Sequence, residues 1–139
     1  MSIEVQGVES TAKNMKALSK RYSKSVAEAL VKSGHIVRGD VVESIQEQSP
    51  GDQVIRYREG GASYEHTVSK EGDAPNTDTG RLVNSIQVEV QPEGVYVGTN
   101  VDYAKHLEFG SHPFLVPALE KNRATIKKLI SFALKRTKK

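Results

Sequence analysis

The sequence predicts an α+β fold: a long N-terminal helix, a small antiparallel sheet of hairpins, a short helix and a basic C-terminal helix. Three observations predict it. Apolar residues recur at helical spacing through the first third of the chain. Short alternating segments separated by turn residues fill the middle. A second apolar stripe at helical spacing then closes the chain. Strands grouped between helices, rather than alternating with them, mark α+β rather than a doubly wound sheet.

Met15, Leu18, Tyr22, Val26, Leu30, Val37, Val41 and Ile45 define the first stripe, with Lys13, Lys16, Lys20 and Lys24 elsewhere around the wheel. One amphipathic helix is expected from about residue 11 to residue 48. Gly34 and Gly39 each weaken it by about 1 kcal/mol relative to alanine, so a kink or break is expected near Ser33-Gly34. Pro50-Gly51 ends it. Segments 53–58 and 63–69 have strand character, and Glu59-Gly-Gly-Ala62 between them makes a hairpin. Residues 70–79 are polar and read as a mobile loop. Residues 78–86 read as a short capped helical turn feeding a strand. Gln87-Val-Glu-Val-Gln91 alternates, Pro92-Glu-Gly94 turns and Val95-Tyr-Val97 returns. A short helix over 101–109 should present Val101, Ala104, Leu107 and Glu108 on one side. Gly110-Ser-His-Pro113 breaks it, and Pro117 suits the first turn of the last helix. Leu119, Ile126, Leu129, Ile130, Ala133 and Leu134 form that helix's apolar stripe.

The 139 residues suit one domain, 1–139, with flexible ends at 1–8 and 136–139. With 37% apolar residues and a mean hydropathy of −0.49, the core is modest, as expected of a subunit that draws stability from neighbours. The chain has no cysteine, which excludes disulfides, thiolate metal sites and cysteine nucleophiles. The first residues lack the basic and apolar regions of a secretory signal. No apolar run approaches the roughly 18 residues of a membrane helix. The expectation is a soluble protein made in a cytoplasm and without a membrane partner.

The net charge of +3 is unevenly spread. From Pro117 onward, eight Lys or Arg face one acid, Glu120, giving +7 and leaving −4 on the other 116 residues. Lys121, Arg123, Lys127, Lys128, Lys135 and Arg136 are the candidate electrostatic contacts. They can steer an anionic partner or meet the acidic body of a neighbouring copy. Under the second reading, reversing Lys127 and Lys128 to Glu should impair assembly.

Asp102, His106, Glu108 and His112 are the densest candidates for chemistry, but their spacing matches no zinc pattern, and Gly110 and Pro113 interrupt any helix that would align them. Ser85, His106 and Asp102 lack a nucleophile-elbow signature, and Asp78-Thr-Gly80 lacks the Lys and glycines of a phosphate loop. No catalytic residue, metal ligand or cofactor is assigned, and the chain is not expected to be an enzyme.

Asp78-Thr-Gly-Arg-Leu-Val-Asn-Ser-Ile86, Val101-Asp-Tyr-Ala-Lys-His-Leu-Glu-Phe-Gly110 and Pro113-Phe-Leu-Val-Pro-Ala118 occur in that order. This series resembles the small neck or tail-completion proteins of long-tailed bacteriophages, typified by the tenth gene product of a lambdoid coliphage. In that family a Thr-Gly-x-Leu-x-x-Ser-Ile element precedes a hairpin, and Tyr-Ala-x-x-x-Glu-Phe-Gly and Pro-Phe-Leu-x-Pro-Ala elements follow it. The matching positions are Thr79, Gly80, Leu82, Ser85, Ile86, Tyr103, Ala104, Glu108, Phe109, Gly110, Pro113, Phe114 and Pro117. Only Ser111 and His112 separate Gly110 from Pro113, where relatives often carry a longer insert, and residues 72–77 show no family signature.

Gly80 and Gly110 would supply backbone freedom at a cap and a sharp turn. Tyr103, Leu107 and Phe109 would offer apolar surface, while Phe114 and Leu115 anchor the last helix between two prolines. Glu108, beside this core, requires an Arg, Lys or backbone amide as partner. The resemblance implies a structural virion protein, assembled in the host cytoplasm, that joins or completes the head–tail junction. It implies a homo-oligomeric ring, six copies being preferred and twelve the alternative at a portal-facing position. Connector, tail-terminator or tail-tube proteins would be its neighbours. The rival reading is a DNA-binding module using the basic helix, or non-specific contact between that helix and passing DNA.

Overall fold

The computed structural model describes residues 8–136, and side chains from Lys24 onward. The expected flexible ends, 1–8 and 136–139, lie outside the described residues apart from Val8 and Arg136, which are helical. The elements run α1 (Val8–Gln46), β1 (Gln53–Tyr57), β2 (Ser63–Thr67), α2 (Arg81–Ser85), β3 (Gln87–Gln91), β4 (Gly94–Gly98), α3 (Ala104–Glu108) and α4 (Leu115–Arg136). This is the α+β architecture that the sequence predicts. The hairpins, however, are two separate two-stranded antiparallel sheets, β1–β2 and β3–β4.

The helices α1 and α4 form an antiparallel pair. At one end Val37, Val41 and Ile45 of α1 share the main core with Leu115 and Ala118 of α4. At the other, Val26 and Ala29 meet Ala133, with Leu30, Leu129 and Leu134 around them. Between these clusters the Asn122 amide donates to the Asp40 carboxylate and to the Ala118 carbonyl (2.8 Å), and Lys121 Nζ stands 3.5 Å from Asp40. The buried amide thereby has carbonyl and carboxylate acceptors where water is excluded.

α1 runs without a break through Gly34, where the sequence suggested a kink or break. The glycine has a packing role instead: a Cβ there would sit 2.7 Å from Val95 Cγ1 and 3.1 Å from Val88 Cγ1. Absence of that carbon lets the inner face of β3–β4 (Val88, Val95, Val97) lie against the helix. Arg38 Nε, one turn on, donates to the Ile86 carbonyl at 2.8 Å and fixes the start of β3.

Candidate functional site

The three motif elements converge on the main core. Gly80 opens α2 with φ +80°, a left-handed conformation that costs a side-chain-bearing residue about 1–2 kcal/mol. The cap is this backbone turn; no side chain caps α2, although Arg81 N–H points to Thr79 Oγ1 at 3.4 Å. Leu82 and Ile86 are buried, and Ser85 Oγ donates to the Leu82 carbonyl (2.6 Å) and lies 2.5 Å from Thr99 Oγ1. Thr99 in turn accepts from Val101 N–H at 3.1 Å. The first motif is thus hydrogen-bonded to the entry of the second.

In the second, the helix is shorter than the expected 101–109: Val101, just ahead of α3, and Ala104 are buried, and Leu107 is half-buried. Glu108 is buried too, and its partners are backbone amides. Its Oε2 accepts from Phe114 N–H (2.8 Å) and Leu115 N–H (2.9 Å), and its Oε1 from Val116 N–H (2.8 Å). Those amides are the free donors at the start of α4, where the helix dipole also favours negative charge. Pro117, next in line, has no N–H to satisfy. Pro113-Phe-Leu-Val-Pro117 therefore builds a helix start whose donors all go to one carboxylate from α3. Phe114 fills the core at 1% exposure, and Gly110 follows because a Cβ there would collide with the His106 carbonyl oxygen.

Two motif aromatics face outward. Phe109, between the buried Glu108 and Gly110, is 76% exposed, and Tyr103 is partly exposed beneath the Arg81 guanidinium, 5.8 Å from its ring centre. Both rings therefore offer apolar surface outside the core, while Leu107 is half-buried. The chemistry candidates do not converge. Glu108 is occupied by amides, Asp102 and His106 are exposed, and His112 Nδ1 lies 3.0 Å from Ser69 Oγ and 3.2 Å from the Asp73 carbonyl. Among the described residues no group of three His or acid side chains is arranged for a metal ion.

The basic set divides. Lys121 is engaged by Asp40 and Arg123 by Glu120 (3.0 Å). Lys127, Lys128, Lys135 and Arg136 are exposed and make no ion pair among the described residues.

A second cluster was not singled out from the sequence. On β1–β2, Arg56 pairs with Tyr64 and Val54 with His66, so Arg56, Tyr64 and His66 share one face. Asp78 meets that face: it accepts from Arg56 and from Tyr64 Oη (2.8 Å), and His66 Nδ1 is 3.9 Å away. Burial opposes ionisation of Asp78, but the Tyr64 hydrogen bond and the charges of Arg56 and His66 outweigh it and hold the carboxyl below its ordinary range. The same hydrogen bond raises the Tyr64 phenol. An open cleft of about 560 Å³ lies here, lined by Tyr57, Arg58, Glu59, Tyr64, Asp78 and Thr79.

Residues 70–79, expected as a mobile loop, are irregular in backbone but tied at several points. Asn76 accepts from Ser49 N–H (2.7 Å) and donates to the carbonyls of Ser49 (2.9 Å) and Thr67 (2.8 Å). Thr77 donates to the Ile45 carbonyl at 3.0 Å, satisfying an acceptor at the end of α1, and Gly72 N–H donates to Ser111 (2.7 Å).

Among the described residues no helix is long and apolar enough to cross a membrane. No curated protein and no solved structure matches the chain. A family model described as "Bacteriophage HK97-gp10, putative tail-component" matches residues 9–110, from the first helix to the Glu-Phe-Gly turn and short of α4. The match covers well over half of the chain: it belongs to the HK97-gp10-like family of bacteriophage tail components and is a structural component of a phage virion.

Proposed function

We propose that this tail component sits in the neck of the particle, where it joins or completes the head–tail junction by closing into a ring with its own copies and docking on neighbouring connector, tail-terminator or tail-tube proteins. It performs no chemistry in this reading. The observation that carries it is the placement of the phenylalanines. Phe114 alone is in the core, while Phe109 and Phe132 are 76% and 67% exposed, one at the turn after α3 and one on α4. Ile55 and Tyr57 add a third apolar surface on the outer face of β1–β2. A chain with a modest core gains by covering such groups on a partner.

Light scattering on a sizing column, at low and high salt, tests the ring. Six chain masses are expected, or twelve for a portal-facing position. One chain mass at both salts overturns a self-sufficient ring. The exposed Lys127, Lys128, Lys135 and Arg136 support a second reading, non-specific contact with duplex DNA. It predicts affinity that falls steeply with salt, since each neutralised phosphate releases counterions.

A further inference from the structure

Lys128, Phe132, Lys135 and Arg136 are spaced i, i+4, i+7 and i+8 on α4, so they form one outward stripe, and all four are exposed. The side of the helix that packs on α1, through Asn122, Leu129 and Ala133, lies about 100° round from this stripe, so the stripe flanks the packed face. An exposed phenylalanine ringed by cations is poorly suited to a phosphate backbone, which can bury nothing of the ring. It suits a protein surface that is both apolar and acidic.

The chain carries an acidic surface at its other end. Between Gly39 and Ile55 there are four acids, Asp40, Glu43, Glu47 and Asp52, and no Lys or Arg. Asp40 is paired with Lys121, whereas Glu43, Glu47 and Asp52 are exposed and make no ion pair among the described residues. Glu43 lies in the last turn of α1, Glu47 just past it, and that turn holds no basic residue. Carboxylates there oppose the negative end of the helix dipole, so an external cation would relieve them. Because α1 and α4 are antiparallel, the acidic end and the cationic stripe are separated by about 25 Å along the helix pair, at 1.5 Å per residue. That is about three Debye lengths at physiological salt, so neither charge set satisfies the other within one chain.

We propose that the cationic, Phe132-centred stripe of α4 docks on the acidic C-terminal end of α1 in a second copy of the chain. This rests on the ring reading above and specifies its contact. A contact between unlike ends is head-to-tail, the type that closes into rings; stripe against stripe or acid against acid would place like charges together.

The test uses the full chain in equal mixture with its ¹⁵N-labelled form, coupled with a zero-length carbodiimide and mapped by peptide mass. Mixed-isotope links joining Lys127, Lys128 or Lys135 to Glu43, Glu47 or Asp52 are expected. The double variant Lys128→Glu/Lys135→Glu should run at one chain mass, as should Glu43→Lys/Glu47→Lys. Mixing the two should restore the multimer, because each then presents the complement of the other. Unchanged circular dichroism shows that both variants remain folded, as exposed positions should. A multimer that persists in both variants overturns this contact while the ring stands. A wild-type chain that remains at one chain mass throughout removes the ring and this contact together. If Lys128→Glu/Lys135→Glu keeps its mass but loses duplex DNA affinity, the stripe belongs to DNA and the proposal is wrong.

Discussion

Exchanging Glu108 for Gln replaces one carboxylate oxygen with an amide nitrogen and leaves the shape of the side chain nearly intact. The three amides it serves, those of Phe114, Leu115 and Val116, then share a single neutral oxygen, and at least one N–H faces another donor. A hydrogen bond to a charged group contributes about 1.5–3 kcal/mol against about 1 kcal/mol for a neutral one, and a buried orphaned donor costs about 1–3 kcal/mol. Two weakened bonds and one lost one would sum to about 3–5 kcal/mol. The Val116 amide is only part-buried, so water relieves some of this, and about 2–3 kcal/mol is expected. Glu108→Ala removes all three acceptors and leaves a void, for about 3–5 kcal/mol, a large share of the roughly 5–15 kcal/mol that holds a domain together. Urea denaturation followed by circular dichroism, at one fixed protein concentration, measures both. In a thermal scan followed in the same way, the Gln variant should melt roughly 5–10 °C below the wild type, at about 2–4 °C per kcal/mol. A Gln variant within about 0.5 kcal/mol of the wild type would show that the carboxylate does not hold the start of α4, and the account of this junction would fail.

Two glycines of one helix should respond oppositely to alanine. Gly39→Ala meets nothing within 4 Å and should stabilise by about 0.5–1 kcal/mol, whereas at Gly34 the clash with Val95 and Val88 outweighs that gain and should destabilise by about 1–2 kcal/mol; thermal melts of the pair check the signs. Gly80→Ala should cost about 1–2 kcal/mol through its positive φ, seen as a lower urea midpoint. Asp78 has a folded pKa below its unfolded value, so its contribution is present above about pH 4 and is lost as the pH falls through the folded value. NMR titration of Arg56 and Tyr64 should show the β1–β2 hairpin loosening in that window, and Asp78→Asn should abolish the transition.

The sequence made the helices and hairpins legible because their signals are local. The spacing of Val37, Val41 and Ile45, the alternation of Gln87–Gln91 and the turn at Pro92-Glu-Gly94 all act within a few residues. What escaped was long-range. Gly34 read as a weak point because helix propensity knows nothing of Val88 and Val95, more than fifty residues away. The need of Glu108 for a partner followed from burial, yet the three amides become visible only once Pro113 has turned the chain back. The Asp78 cluster had one usable signal, the alternation that puts Arg56, Tyr64 and His66 on one face once the strands pair, but nothing in the sequence placed Asp78 against that face. The basic helix was legible as charge alone; separating the engaged Lys121 and Arg123 from the exposed remainder required Asp40 and Glu120 in place.

Among the described residues the two hydrophobic clusters along the helix pair are unequal, and this should set how the helix pair opens. Among the described residues the largest fully buried side chains, Phe114, Ile45, Ile86 and Val41, all lie in the first cluster, while the far one rests on Val26, Ala29 and Ala133 with half-buried leucines around them. Opening free energy follows buried apolar contact, so amide hydrogen exchange should be slowest in α1 around Val41 and progressively faster toward the C-terminal turns of α4. Within α4 the faster-exchanging segment should be the one that carries Phe132 and its surrounding cations. Under the proposed contact, such a helix would be loosely held in the free chain and would gain protection when a second copy covered it.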